Sequence, residues 1–227
     1  MRWLELDFSA ILKYKDFFLN GAMYTLFIAA ITVMGGTIIG MFLSLLKLSK
    51  SKVLRFISTA YIEVFRGTPI LVQLYLVYLA FPSMFDIRMN PLVAGIIALC
   101  LNSGDYVAEI IRAGIMAVDK GQMEAARSLG MSESKAMRLV VIPQAIKNIL
   151  PALANEFIVI IKESSIASVI GVTELMYNAD TVRGNTFRPL ESLLVAAGIY
   201  FIMTFTLSKI VAYFERRMGD VSSKQAS

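Results

Sequence analysis

The side chains that can do chemistry here stand alone inside otherwise apolar runs. They are Glu63, Asn102, Ser103, Asp105, Glu109, Glu156 and Glu163, with Arg66, Arg112 and Lys162 close by. An ionisable residue in such a setting is costly to bury, so it faces protein or a watery path rather than hydrocarbon. Glu63 and Arg66 are three residues apart, as are Glu109 and Arg112, so each pair shares a helical face and can form an ion pair. That assigns Arg66 and Arg112 to holding helices together. Asn102, Asp105 and Glu109 recur at i, i+3 and i+7, which makes a polar stripe pointing inward. Glu156 and Glu163 are seven apart and share a face, and Pro151 upstream removes a rung of the hydrogen-bond ladder and exposes carbonyls. Carboxylates in such a set can receive a cationic group, and amide and hydroxyl groups an anionic one. Catalytic chemistry is poorly served. The chain has no His and one Cys, Cys100 in an apolar run, so a Cys-based metal site or a disulfide frame within the chain is excluded and no cofactor or metal is expected. Neither a G-x-S-x-G elbow nor a G-x-x-x-x-G-K-[ST] phosphate loop is present.

The elements that position these residues follow from where charge is missing. Of 227 residues 57% are hydrophobic and only 17% charged, against about a quarter charged in soluble domains; mean hydropathy is +0.66. No Asp, Glu, Lys or Arg occurs from Gly21 to Leu46, Gly67 to Phe85, Met89 to Gly104, or Ser192 to Ser208. A spanning helix needs roughly 20 mostly apolar residues. The reading is an all-α membrane protein of five transmembrane helices, near 20–46, 54–81, 91–116, 144–170 and 192–214. Residues 1–19 mix apolar and charged groups and read as an interfacial segment. Residues 20–217 form one membrane domain and 218–227 a cytoplasmic tail. Gly36 and Gly40 have the spacing that lets helices approach closely. The first apolar run begins near Asn20, is too long for the core of a leader peptide and lacks a small-residue cleavage site, so no leader is expected.

Basic residues orient the spans. Lys47, Lys50, Lys52 and Arg55 fill the first link, Lys120, Arg127, Lys135, Arg138 and Lys147 the third, and Arg216, Arg217 and Lys224 the tail. The opposite side holds Arg88, Arg183, Arg188, Arg2, Lys13 and Lys15. The expected topology has the N-terminus outside and the C-terminus in the cytoplasm. A pI near 9.3 therefore concerns orientation, with no nucleic-acid partner implied. The third cytoplasmic link predicts two short helices. Glu124 to Leu129 favours helix, and Gly130 suits the left-handed position that ends one. Ser132 can cap the next, with Glu133 at its positive end, and Pro143 is placed to open a further helical segment. The small pair Ala125-Ala126 beside Glu124 offers a close-approach surface to another chain.

Glu124-Ala125-Ala126, then Gly130, then nine residues, then Val140-x-Ile142-Pro143 resembles the EAA loop of ABC-importer permeases, with Ile142 a departure from the family's preferred Leu. Tyr61-Ile-Glu-Val-Phe-Arg-Gly-Thr-Pro-Ile-Leu-Val-Gln73, Leu101-Asn-Ser-Gly-Asp-Tyr-Val-Ala-Glu-Ile-Ile-Arg112, Asn155-Glu-Phe-Ile and Lys162-Glu-Ser-Ser are similar to the polar amino-acid branch of that family. The resemblance covers roughly residues 20–217. It implies a multi-pass subunit of the bacterial inner membrane whose loop, through Glu124, Ala125, Ala126 and Gly130, docks on an ATP-binding subunit. It also implies two ATP-binding subunits, a second permease subunit (the same chain or a relative) and an extracytoplasmic substrate-binding protein. An amino acid brings one ammonium and one carboxylate, and Glu63, Asn102, Ser103, Glu156 and Glu163 form a matching set on helices two to four. The acids without an adjacent base favour a cationic side chain, unless Lys162 neutralises Glu156 or Glu163. The resemblance implies that the positions of Asn102 and Glu156 serve substrate, as in related permeases. Lacking a phosphate loop, the chain cannot itself be the ATPase. The other reading is an ion-coupled secondary transporter or channel with Glu63, Asp105 or Glu109 as a relay.

Overall fold

The computed structural model describes residues 6–224, with side chains through Arg216. Its helices are α1 (Ser9–Leu12), α2 (Lys15–Leu48), α3 (Lys52–Gly67), α4 (Ile70–Met84), α5 (Pro91–Met116), α6 (Lys120–Ser128), α7 (Glu133–Ala136), α8 (Ile142–Glu163), α9 (Leu175–Thr186) and α10 (Pro189–Lys224). Among the described residues there is no strand. The all-α class expected from composition is the class observed.

Three helices, α2, α5 and α10, are long and apolar enough to cross a membrane, and the bent pair α3–α4 makes a fourth candidate. The remaining expected span exists as a helix, α8, whose Lys147, Glu156, Lys162 and Glu163 dilute its apolar character. The expected interfacial segment is not separate throughout: residues 1–5 lie outside the described residues, and Lys15 to Leu19 already belong to α2. At the other end α10 continues to Lys224, into the stretch expected as a tail.

Prolines explain the irregular places. The second span, expected as one helix over 54–81, is broken at Thr68–Pro69 and bent by 106°. A residue before proline is pushed from the helical to the extended region, and Thr68 sits at φ −121°, ψ 142°. Pro82 and Pro143 meet a different solution. Each is preceded by a five-residue π turn, Leu76–Ala80 and Met137–Val141, that ends two residues before the ring. A proline removes a donor and clashes with the carbonyl four residues back; the wider turn accommodates both without ending the helix. Pro143 therefore does not open a new segment. From Glu133 to Glu163 the backbone stays helical, with α7, the π turn and α8 running into one another.

Contacts group the chain into two compact units: the described residues of Met1–Thr32 with Pro69–Leu99 and Phe157–Ser208, and Val33–Thr68 with Cys100–Glu156 and Lys209–Ser227. In the first unit Ile28, Leu74, Ala98, Leu99 and Ala167 form a core from α2, α4, α5 and the 3₁₀ turns after α8. Ile11, Phe18, Leu175 and Ala196 form a second core joining α1, α2, α9 and α10. Glu174, fully buried, caps α9 by accepting from the Tyr177 amide at 2.8 Å and also accepts from the Tyr200 hydroxyl at 2.8 Å. Burial pushes its carboxyl above the ordinary glutamate range, against the pull of those donors.

The second unit is built on close helix contact. Leu43, Ile62 and Ala108 pack together with Ile39 and Tyr61, and the Tyr61 hydroxyl donates to the Leu101 carbonyl at 2.8 Å. A Cβ on Gly36 would stand 2.8 Å from Ser103 Oγ, and one on Gly40 would stand 2.7 Å from Val107. The two glycines let α2 lie directly on α5 at positions spaced by the same four residues. Outside these cores large apolar side chains are exposed, Phe42, Phe56 and Phe201 among them, as a lipid-facing surface requires.

Candidate functional site

Ser103 stands on the face of α5 that Gly36 of α2 approaches, so its rotamer is confined by backbone rather than by a flexible neighbour. From there its hydroxyl donates to Glu156 Oε1 of α8 at 2.8 Å. Ser103 is fully buried, Glu156 is 7% exposed and the neighbouring Asn102 6%. A buried carboxylate, an amide and a hydroxyl thus gather in the second unit, where the low dielectric strengthens any charge-assisted bond they make. The Glu156 carboxylate accepts from Ser103, while Lys162, the base that could neutralise Glu156 or Glu163, is exposed.

The other expected site residues are placed differently. Glu163 ends α8, half-buried, in the first unit. Glu63 is exposed on α3. Its expected ion pair with Arg66 is not formed, because Arg66 turns to the fully buried Asp105 and donates from Nε to Oδ1 at 3.2 Å. The reason is the turn of α5 against α3, which brings a buried carboxylate within reach; spacing along one helix cannot show that. The second pair does form. Arg112 donates to Glu109 at 2.8 Å, and Lys47 of α2 joins the same carboxylate. The inward polar stripe of α5 is present too, with Asn102 and Asp105 buried and the Glu109 side chain 18% exposed.

The loop after α5 forms a compact helical element. Asp119 caps α6 by accepting from the Gly121 amide at 2.6 Å. α6 closes with Gly130 at φ +86°. The Gly130 amide reaches the Arg127 carbonyl and the Met131 amide the Ala126 carbonyl, at 3.0 and 3.2 Å. That is the two-bond C-terminal motif in which glycine takes the left-handed position. Ser132 caps α7 as expected, accepting from the Lys135 amide. Of the expected docking surface, Glu124, Ala125 and Gly130 are exposed, but Ala126 is buried at 5%. Helical rotation explains the correction: at about 3.6 residues per turn neighbouring residues point about 100° apart, so the pair splits, Ala126 inward and Ala125 outward. Leu129, 83% exposed, stands beside them, and its signal in the sequence is its place just before the terminating glycine.

Comparison with known proteins places this geometry. The arginine transport system permease protein ArtQ of Bacillus subtilis is 42% identical over 215 residues, 95% of this chain and 98% of that one. The glutamine transport system permease protein GlnP of Escherichia coli K12 is 37% identical over 216 residues, 95% and 99%. A crystal structure of an amino acid ABC transporter with histidines superposes with a TM-score of 0.90 at 50% identity, covering 94% of this chain and 100% of that one. The family described as binding-protein-dependent transport system inner membrane component matches residues 36–220, a stretch that holds the Ser103–Glu156 contact and the whole of the α6–α7 element, and the chain belongs to that family.

Proposed function

We propose that this chain is the membrane-spanning permease subunit of an ATP-driven importer of polar amino acids, and that it forms the translocation path while a separate subunit hydrolyses ATP. The family supports an ATP-binding subunit and a substrate-binding protein as partners. The relatives named for arginine and glutamine transport support a polar amino acid as cargo. The assembly read here has two ATP-binding subunits and a second permease subunit, the same chain or a relative. The N-terminus lies outside and the C-terminus in the cytoplasm, as the basic residues of the first and third links favour.

One observation carries the mechanism. The docking element and the buried carboxylate share one helical run, because α7, the π turn and α8 continue from Glu133 to Glu163. From Glu133 to Glu156 that run spans roughly 35 Å at 1.5 Å per residue. A push on α6 and α7 by the ATP-binding subunit moves the segment that carries Glu156 against Ser103 of α5. Glu156, Asn102 and Ser103 are the groups that receive the amino acid. Glu63 and Glu163 are further acids for the cationic groups of the substrate, outside that contact. Glu124, Ala125, Gly130 and the exposed Leu129 meet the ATP-binding subunit, while Ala126 holds α6 in place from within.

Reconstitution tests this reading. The chain with its ATP-binding subunit and binding protein in liposomes is expected to take up a polar amino acid only with ATP. Uptake driven by an ion gradient, with the ATP-binding subunit omitted, would replace it with the secondary-transporter reading.

A further inference from the structure

We propose that Arg66, held in place by Asp105, is the receptor for the α-carboxylate of the transported amino acid, with Glu63 one turn earlier receiving its α-ammonium. This rests on the amino-acid importer reading.

Arg66 and Glu63 lie on α3, part of the bent candidate span. Glu63 is exposed, and the Arg66 side chain is 42% exposed in the chain by itself. Charges in a span do not face hydrocarbon, so this face of α3 meets water or a polar group. A saturated ion pair would need nothing more. Glu109 is such a case, closed by Lys47 on one oxygen and Arg112 on the other. Arg66 is not. It spends only Nε on Asp105, at 3.2 Å. Its cationic carbon stands 5.4 Å from the centroid of the half-exposed Tyr106 ring, which supports the planar group from one side. Asp105 is fully buried, and its Oδ2 has no hydrogen-bond partner among the described residues. A two-bond fork would satisfy both Asp105 oxygens and consume one terminal nitrogen of Arg66. The single Nε bond leaves the outer fork, Nη1 and Nη2, unconsumed and fixed in direction. That fork matches a carboxylate in bidentate geometry.

The partner charge is set beside it. Residues three apart on a helix have Cβ atoms about 5–6 Å apart, and because Arg66 turns to Asp105, the Glu63 carboxylate is not tied up by it. An α-amino acid carries its ammonium and carboxylate on one carbon, so its head can bridge the two side chains. Arg66 and Glu63 would then read the invariant head of the substrate, and Asp105 is a positioning residue.

The test uses the chain with its ATP-binding subunit in lipid nanodiscs, without the binding protein, so that only the internal site is read. Equilibrium binding of L-arginine and L-glutamine is measured, each as the free acid and as the methyl ester, which lacks the carboxylate charge. The wild type is expected to prefer the acid by roughly ten- to a hundredfold, the range of a charge-assisted hydrogen bond. Arg66→Gln should level acid and ester. Arg66→Lys should restore part of the preference, and Asp105→Asn should reduce it without abolishing it. Assembly of each variant is followed by size-exclusion chromatography with light scattering. An assembled Arg66→Gln complex with the wild-type acid-to-ester ratio overturns the assignment, and so does loss of the two-permease assembly with that ratio intact, which makes Arg66 an intersubunit contact. If the wild type binds neither amino acid in any form, the internal site and this assignment fall together. Binding with an unchanged ratio removes Arg66 alone.

Discussion

Glu156 is the residue on which the proposed substrate site turns. It is buried, and it accepts from the Ser103 hydroxyl at 2.8 Å. Glu156→Gln keeps size and hydrogen-bonding capacity, so the Ser103 contact and the packing survive. If Glu156 receives a substrate cation, internal-site affinity should fall by about 1.5–3 kcal/mol, roughly ten- to a hundredfold. Asn102→Ala should act in the same direction. Full assembly with wild-type substrate dependence of uptake would remove Glu156 from the site, and measuring assembly and transport on one preparation distinguishes the cases. Glu174 poses a different residue-scale question, one of stability. Its carboxyl is raised above the ordinary value of 4.5 by burial, so folding favours the protonated form. The sign follows: its stabilising contribution is complete below the ordinary glutamate range and is lost as pH rises through the elevated folded-state value. Thermal unfolding in detergent should show a midpoint that declines over that window in the wild type. Glu174→Gln, which stays neutral, should flatten the decline; an identical pH profile in the variant would count against this source.

At the scale of elements, the prolines and glycines shape the working parts. Pro69 breaks the second span, while Pro82 and Pro143 are absorbed by π turns and leave their helices continuous. For α8 this continuity matters most, because it links the α6–α7 element to Glu156. Gly130 closes α6 at φ +86°, with open space where a side chain would stand. A substitution there is thus strained by backbone conformation and not by collision. A left-handed non-glycine residue costs about 1–2 kcal/mol, and a β-branched one resists the position more. Gly130→Val should leave the protein in the membrane, distort the α6–α7 turn and weaken co-purification of the ATP-binding subunit. Unchanged co-purification and unchanged uptake would argue against docking by this element. Alanine at Ala126 is fixed by a separate demand: it is buried, so a larger side chain there disturbs α6 itself before any partner is met.

For the whole molecule, the chain is a multi-pass protein of the bacterial inner membrane, as its family and apolar helices require. Its proposed orientation is open to a direct measurement. In a Cys100→Ala background, a membrane-impermeant thiol reagent should label a cysteine placed at the exposed Asn185 from outside and one at the exposed Ser134 only from the cytoplasm. The reverse pattern would overturn the orientation. Local chemistry alone dictates part of this molecule. Charge-free runs set the helical membrane class, Pro91 and Met116 bound α5 where expected, Gly130 and Ser132 end and begin their helices, and Glu109 pairs with Arg112 within one turn. Each of these depends on neighbours a few residues away, or on the cost of charge in hydrocarbon. Tertiary structure decided which faces meet. α2 is apolar on nearly every side, so its pattern has no period to show that Gly36 and Gly40 are the face lying on Ser103 and Val107. The same packing decided that Arg66 turns to Asp105 on α5 instead of to Glu63 on its own helix, that Ala126 points inward, and that Glu156 meets Ser103. Helix rotation and register across a bundle are set by all the side chains in contact at once, and spacing along a single helix does not contain them.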